Sequence, residues 1–335
     1  MRTVPTRALI AVLFLSFISP YRSTVYAQSA SATILGTVSD DSGSVVPDAT
    51  VTVKDLGTGQ ERTVKSDDSG AFTVPGLQVG HYSLVVTREG FALYKIADTE
   101  LQVAQRATIN PVLHVGAVTD KVTVIANDIP LLNEASSSVG QVIDTQTVQD
   151  MPLNGRNFWQ LTQLTPGVSY IQGGQNIPAG GTSIRATAVN VNVNGLSPAF
   201  TGWYLDGANI TEFQLGGTII QPNVDALQEF KVESSNMGAD YGHTPTIINA
   251  TLKSGTNQFH GTLYEFLRNN SFDAKNYFFR PPAGSTRRDE PLHRNQFGFV
   301  VGGPIRKDKT FFFLDMQTTL FTYAQNFDEV VPSDA

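Results

Sequence analysis

The residues from 309 to 322 set the tightest limit on what this chain can fold into. In an extended strand Phe312, Leu314, Met316 and Leu320 fall on one face, and Asp315, Gln317 and Thr319 on the other. Side chains alternate with a period of two along a strand, so the ribbon has one greasy side and one polar side. Over roughly ten residues that pattern fits a membrane-barrel strand, apolar side to lipid and polar side inward. Two more strands are expected at 257–268 and 295–303. The connection between them, 269–294, is long and polar and carries Arg287-Arg288-Asp289-Glu290, whereas the next, 304–308, is tight. Long connections on one side and short turns on the other follow the outer-membrane rule. A large plugged barrel closes with about 22 strands, and at about 9–11 residues per strand that takes several hundred residues. Three strands keep two open edges, whose backbone groups find no partner in hydrocarbon. The expectation is an incomplete barrel, in a chain that is a fragment, a truncated gene product or a piece completed by another polypeptide.

Composition agrees with a mainly β chain. Charged residues make up 16% of the 335, and Gly, Thr, Val and Asn are plentiful, which favours strands and turns over helices. The formal net charge of -7, with no basic block, argues against nucleic acid as a partner. With no cysteine, the domains must be held by packed cores or by barrel closure. At the N-terminus, Arg2 and Arg7 precede an apolar run of about eleven residues ending near Ile18; Pro20 breaks it, and Val25-Tyr26-Ala27 offers small residues for cleavage. That run is too short for a membrane helix, which needs about twenty apolar residues. Residues 1–27 are therefore expected to be a signal peptide, with Gln28 as the mature start.

From Ala32 the chain reads as short alternating runs cut by turns. Asp40-Asp41-Ser42-Gly43 and Asp67-Asp68-Ser69-Gly70 are turn sequences; Val51 and Val53, Phe72 and Val74, and Tyr82, Leu84 and Val86 are expected inner faces. Strands at about 8–12-residue spacing predict a β-sandwich over residues 32–115. The order G-T-V-S-D, P-D-A-T-V-T-V, S-D-D-S-G-A-F, G-H-Y-S-L-V-V and E-G-F, from Gly36 to Phe91, resembles the carboxypeptidase regulatory-like domain family. The resemblance implies a transthyretin-like, Ig-like sandwich grouped with carbohydrate-binding-like folds, an accessory module without the zinc pair of a peptidase. Tyr82 and Phe91 are sugar-stacking candidates, but aromatic residues at such positions more often belong to the core.

Residues 136–256 read as an α+β unit. Asn157 is a suitable N-cap for a helix in which Trp159, Leu161 and Leu164 pack inward, and Pro166-Gly167 stops it. Alternation at Val189, Val191 and Val193 and the run from Trp203 to Gly207 read as strands, Val224 to Phe230 as a helical turn, and Phe230 to Glu233 as a strand. P-L-N-G-R-N-F, L-T-P-G-V, Y-L-D-G-A-N-I, V-D-A-L-Q-E-F-K-V and M-G-A-D-Y-G, followed by I-N-A-T-L-K-S-G-T-N-Q-F-H-G-T-L-Y-E-F, resemble the plug of TonB-dependent receptors of the Oar-like kind. Ser183-Ile184-Arg185-Ala186 departs from that pattern, since such plugs often carry glycine after the arginine; Ala186 puts that one turn in doubt.

The resemblance implies a plug whose apical loops face an extracellular substrate. Gly173, Gly174, Gln175, Asn176, Asn209 and Thr211 are the candidates here, although simple loop geometry accounts for most of the glycines. Between sandwich and plug, residues 116–135 form a connector containing the β-prone run Asp120 to Ala126. Such a run can add to another protein's sheet edge through main-chain hydrogen bonds, or serve as an ordinary edge strand of a neighbouring domain. By place and composition it resembles an energy-coupling TonB box, so Val122, Thr123, Val124, Ile125 and Ala126 are the candidate contact for the periplasmic domain of TonB.

Catalysis finds no support. The five histidines are scattered without metal-ligand spacing, and no G-x-S-x-G or phosphate-loop motif occurs. No cofactor and no metal site are expected. The resemblance implies an outer-membrane receptor with a periplasmic N-terminal domain, lipid around its barrel and energy-coupled movement of an unidentified substrate. The rival is a secreted or surface adhesion or carbohydrate-binding protein acting through its sandwich.

Overall fold

The Asp/Gly turns and alternating runs of the N-terminal region become nine strands in a computed structural model of the protein, which describes residues 31–116, 121–124, 139–171, 190–212, 217–235, 244–272, 274 and 292–323. The signal-peptide expectation lies outside these residues. The strands are β1 (Ala32–Thr37), β2 (Ser39–Asp40), β3 (Thr50–Asp55), β4 (Glu61–Lys65), β5 (Ala71–Leu77), β6 (Gly80–Thr87), β7 (Leu93–Leu101), β8 (Arg106–Thr108) and β9 (Val112–Leu113). Two sheets, ordered β5-β1-β8 and β4-β3-β6-β7, close over one core. Ile34, Val51, Val53, Phe72, Val74, Leu84, Val86 and Ile96 fill it, so the expected inner faces hold.

The two Asp-Asp-Ser-Gly turns share one mechanism. Asp40 Oδ1 accepts from the backbone N–H of Ser42 and of Ser44, each at 2.9 Å, and Asp67 Oδ1 does the same for Ser69 and Ala71, again at 2.9 Å. Hydrogen bonds led by the serine hydroxyl hold both carboxyls below their ordinary pKa. Gly43 and Gly70 then take φ of 80° and 74°, where a side chain is strained. Tyr82 is 3% exposed and donates its hydroxyl to the Gln78 carbonyl at 2.9 Å. Phe91 packs against the same core. Neither aromatic stands out as a sugar platform.

The sandwich does not stop at 115. β10 (Lys121–Val124) joins the larger sheet as its edge strand, parallel to β7. The connector's β-prone run thus takes, in this structure, the second of its two expected forms, the edge strand of a neighbouring domain.

The central unit contains β11 (Val139–Ile143), the helix α1 (Thr145–Asp150), β12 (Val168–Ile171), β13 (Asn190–Val193), β14 (Thr201–Leu205), β15 (Ala208–Asn209), β16 (Thr211–Glu212), β17 (Gly217–Thr218), β18 (Leu227–Ser235) and β19 (Thr246–Leu252). Its main sheet runs β11-β18-β19-β14-β15. Asp206 and Gly207, with φ of 48° and 80°, make the tight hairpin between β14 and β15. Phe158, Trp159, Trp203 and Phe230 form the aromatic heart of the core, the two indoles edge-on with centroids 4.4 Å apart.

Two local expectations change. The stretch after Asn157 is a 3-10 helix, Phe158–Leu164, capped by Asn157 Oδ1 accepting from Trp159 N at 3.1 Å. Phe158 joins Trp159 and Leu161 inside, and Leu164, at the end of the last turn, is 41% exposed. The turn expected to run to Phe230 ends at Ala226, and β18 begins at Leu227. Pairing with β19, starting at Leu227↔Leu252, draws these residues into the sheet earlier than local propensity indicates.

The last strands are β20 (His260–Asn269), β21 (Leu292–Arg306) and β22 (Thr310–Tyr323), in one antiparallel sheet of that order that does not close on itself. Leu263 pairs with Phe299, and Phe299 with Met316, so the apolar positions align across all three strands. Leu263, Leu267, Leu314, Met316 and Leu320 are exposed on that side. On the other side Gln296 and Tyr264 are buried toward the central unit. No helix among the described residues is long and apolar enough to cross a membrane, a statement that does not bear on strands.

Candidate coupling site

Several contacts tie the parts of the chain together, and the first starts from a strand whose sequence alternates. In β18, Phe230 and Val232 enter the aromatic core, which turns Glu229, Lys231 and Glu233 to the opposite side. All three are buried there. Lys231 Nζ and Glu233 Oε1 pair at 2.7 Å. Glu229 Oε1 accepts from the backbone N–H of Val103, in the turn that follows β7 of the sandwich. Burial pushes the Glu229 carboxyl up to about 7, with Glu100 and Asp144 adding to the shift and Lys231 opposing it. This is the principal polar joint between sandwich and central unit, and a cleft of about 500 Å³ lies beside it, lined in part by Gln78, Asp206, Gln228 and Lys253.

A second contact joins the central unit to the barrel strands. Arg156 comes from the Asn154–Arg156 turn, where its backbone sits at φ 54°. Its guanidinium forms an ion pair with Asp225 and lies 5.0 Å and 4.2 Å from the ring centroids of Tyr264 and Phe266 on β20. Arg294 of β21 donates to the Gly155 carbonyl at 2.9 Å, and Asn223 donates to Asp315 of β22 at 2.5 Å. All three barrel strands therefore present polar or aromatic side chains to one seam. Gly298 makes room for it: a Cβ there would lie 2.2 Å from the Met316 carbonyl oxygen and 2.5 Å from the Tyr264 hydroxyl.

The third contact is the candidate box itself. Lys121, Val122, Thr123 and Val124 stand opposite Leu93, Tyr94, Lys95 and Ile96 of β7. Ile125 and Ala126 lie outside the described residues, as do Gly173, Gly174, Gln175 and Asn176. Of the remaining loop candidates, Asn209 is exposed on β15, its Oδ1 accepting from Thr211 N at 2.8 Å. Thr211 differs from the expectation. It is 5% exposed and its hydroxyl accepts from Trp203 N at 2.9 Å, so its side chain is committed to the interior. Among the described residues, no cluster of three or more His, Asp or Glu could hold a metal ion.

Sequence reasoning missed Glu229 and the Arg156–Asp225 pair. A signal existed for the first: charges at 229, 231 and 233 alternate with Phe230 and Val232. The second joins residues 69 apart in sequence, and nothing local announces it.

Comparison with known proteins agrees with this architecture. The family described as outer membrane beta barrel domain matches residues 251–335, and the carboxypeptidase regulatory-like domain matches residues 33–114. The TonB-dependent transporter Oar of Myxococcus xanthus is 25% identical over 314 residues, which covers 90% of this chain. The chain spans 28% of that relative's length. Among solved structures, the siderophore receptor PirA from Acinetobacter baumannii overlays on 54% of this chain and 24% of its own, with 21% identity and a TM-score of 0.38. The 3-chlorocatechol 1,2-dioxygenase from Rhodococcus opacus 1CP overlays on 28% of this chain and 62% of its own, with 9% identity and a TM-score of 0.22. At such TM-scores neither overlay carries a functional argument. The chain is thus similar to the TonB-dependent transporter Oar over most of its own length, and it carries a carboxypeptidase regulatory-like region ahead of a region that matches the outer membrane beta barrel domain.

Proposed function

We propose that this chain is the N-terminal portion of an outer-membrane receptor that moves an unidentified substrate with energy delivered by TonB. Residues 1–27 direct export, residues 32–115 form a periplasmic accessory sandwich, 116–135 carry the coupling segment, 136–256 are the plug, and 257–335 begin the barrel. TonB engages the chain at Val122, Thr123, Val124, Ile125 and Ala126. The substrate approaches the opposite end of the plug, near residues 173–176 and Asn209. Work comes from the inner-membrane proton gradient, and the protein does no chemistry on its cargo.

The observation that carries this reading is the two-sided sheet of β20, β21 and β22. Its outer side is a file of exposed apolar residues, and its inner side meets the central unit through Tyr264, Arg294 and Asp315. A wall that is greasy on one side and keyed to a packed domain on the other suits a plugged barrel in lipid. The test is capture of the purified periplasmic domain of the host's TonB by the full chain. Replacing Val122 and Val124 with proline removes two backbone donors from the segment and should abolish capture. Capture at the unsubstituted level would remove this segment from the coupling role.

A further inference from the structure

The chain passes from the central unit to the barrel strands once, through residues 253–259. The first residue of that link belongs to the central unit. Lys253 N–H donates to the Ala226 carbonyl at 2.8 Å, and Lys253 Nζ to the Asp225 carbonyl at 2.9 Å. The far part belongs to the barrel strands. A Cβ on Gly255 would lie 2.3 Å from the Phe312 carbonyl oxygen of β22, so the link presses on the strand backbone. Asn257 is tied to Asp308, in the turn between β21 and β22, by reciprocal hydrogen bonds. Its Nδ2 donates to Asp308 Oδ1 at 2.8 Å, and its Oδ1 accepts from Asp308 N–H at 2.9 Å. Ser254, exposed and outside any strand, is left as the pivot between the two units.

The sandwich reaches over this pivot from one end of its larger sheet. Tyr82 of β6 stands opposite both Asp55 of β3 and Thr99 of β7, so the turns that follow β3 and β7 project from the same end. The first of these turns is stiffened by Asp55, whose Oδ1 accepts from the N–H of Gly57 at 2.7 Å and of Thr58 at 3.1 Å. It presents the Gly57 carbonyl to Asn257 N–H at 2.9 Å. Gly59, at φ 75°, lies so close that a Cβ there would sit 2.4 Å from Asp308 Oδ1. Thr58 is only 8% exposed, although connecting turns ordinarily lie at the surface. The second turn carries Val103, whose N–H is held by Glu229 of the central unit. The cleft of about 500 Å³ separates these two seats, bordered by Gln228 next to Glu229 and by Ser254 at the pivot.

We propose that the sandwich is a brace across this pivot: seated on the central unit at Glu229 and on the barrel side at Asn257 and Asp308, it holds the central unit against the barrel strands. Two bodies joined at one point are free to rotate about it. A third body fixed to both, at separate points, removes that rotation. Each seat is only a few polar contacts, so either can open while the other holds. The brace limits the swing of the central unit without welding it, and it involves neither the connector nor β10.

The full protein in lipid nanodiscs provides the test. A Cβ on Gly57 would lie 3.9 Å from Thr256 Cβ, within the span of a disulfide, and the chain has no cysteine of its own. Gly57→Cys with Thr256→Cys should lose both free thiols on mild oxidation. Hydrogen exchange at residues 224–227, where the central unit meets the barrel strands, should then be slower in the oxidised form than in the reduced one. Gly59→Asp sets a second carboxylate against Asp308, in a left-handed conformation that aspartate tolerates. It should speed exchange at residues 224–227 by about tenfold while leaving exchange at Val51 and Val53, in the sandwich core, unchanged. Thiols that stay free would show that the turn does not sit on the link, and would overturn the proposal. Oxidised protein that exchanges at 224–227 as fast as the reduced form would overturn it too, as would unchanged exchange there in Gly59→Asp. If Gly59→Asp also speeds exchange at Val51 and Val53, the sandwich itself has loosened. The oxidised-against-reduced comparison, made within one protein, then decides.

Discussion

At the scale of single residues, Glu229 is the group whose chemistry most directly serves the assembly. Its carboxyl is buried between the sandwich and the central unit, where burial pushes it up to about 7 from an ordinary value of 4.5. The folded state therefore keeps a proton that the unfolded chain releases across that interval. The contribution to stability is fully present below about 4.5 and is lost as the pH rises through about 7. The full chain should accordingly melt at a lower temperature at pH 8 than at pH 5.5, with the difference concentrated in the transition that separates the sandwich from the central unit. Glu229→Gln keeps an oxygen to accept from Val103 N–H and removes the titration, so it should flatten that dependence. An unchanged pH profile in the glutamine variant would place the dependence on another group. The two aspartate turns are the opposite case. Asp40 and Asp67 act within four residues of themselves, and their function in the fold could be read directly from Asp-Asp-Ser-Gly. Glu229 acts on a backbone N–H 126 residues away, and only the tertiary structure brings the two together.

Elements were legible where one face is buried and the period is unambiguous. The three barrel strands follow their alternation, and each observed strand lies within a few residues of its expected span. β18 was less so, because Val-Asp-Ala-Leu-Gln-Glu-Phe suits a helical turn locally and is drawn into the sheet only by its partner β19. The 3-10 helix at Phe158–Leu164 was expected from its cap and its stop, although the tighter winding and the outward Leu164 follow from how the segment packs. What no single element reveals is the seam that joins the central unit to the barrel strands. There the Arg156–Asp225 pair, with side chains only 15% and 11% exposed, sits against Tyr264 and Phe266. Removing one partner of a buried ion pair leaves the other charge uncompensated and costs about 3–5 kcal/mol. Asp225→Ala should therefore loosen the central unit at its contact with the barrel strands by about that amount, read as earlier proteolysis of residues 150–170 in the folded protein. Cleavage at the unsubstituted rate would mean that the pair adds nothing to the seating of the central unit.

For the molecule as a whole, three parts meet: a sandwich that takes up β10 as an edge strand, a central unit joined to the sandwich through Glu229, and barrel strands that meet the central unit at Arg156, while the sandwich's Gly57 carbonyl accepts from Asn257 N–H just ahead of those strands at 2.9 Å. The Oar relative extends well beyond the length of this chain, which spans 28% of it. The relation of wall to lipid is thus the claim on which the transport reading stands. Single cysteines can test it in the full protein in its outer membrane, one position at a time, with an environment-sensitive fluorophore and brominated lipid as quencher. Labels at Leu263 and Leu314, which are 85% and 54% exposed, should be quenched by lipid, whereas a label at Gln296, 3% exposed, should not. Water-soluble quencher reaching positions 263 and 314 equally, with no lipid quenching at either, would contradict the account.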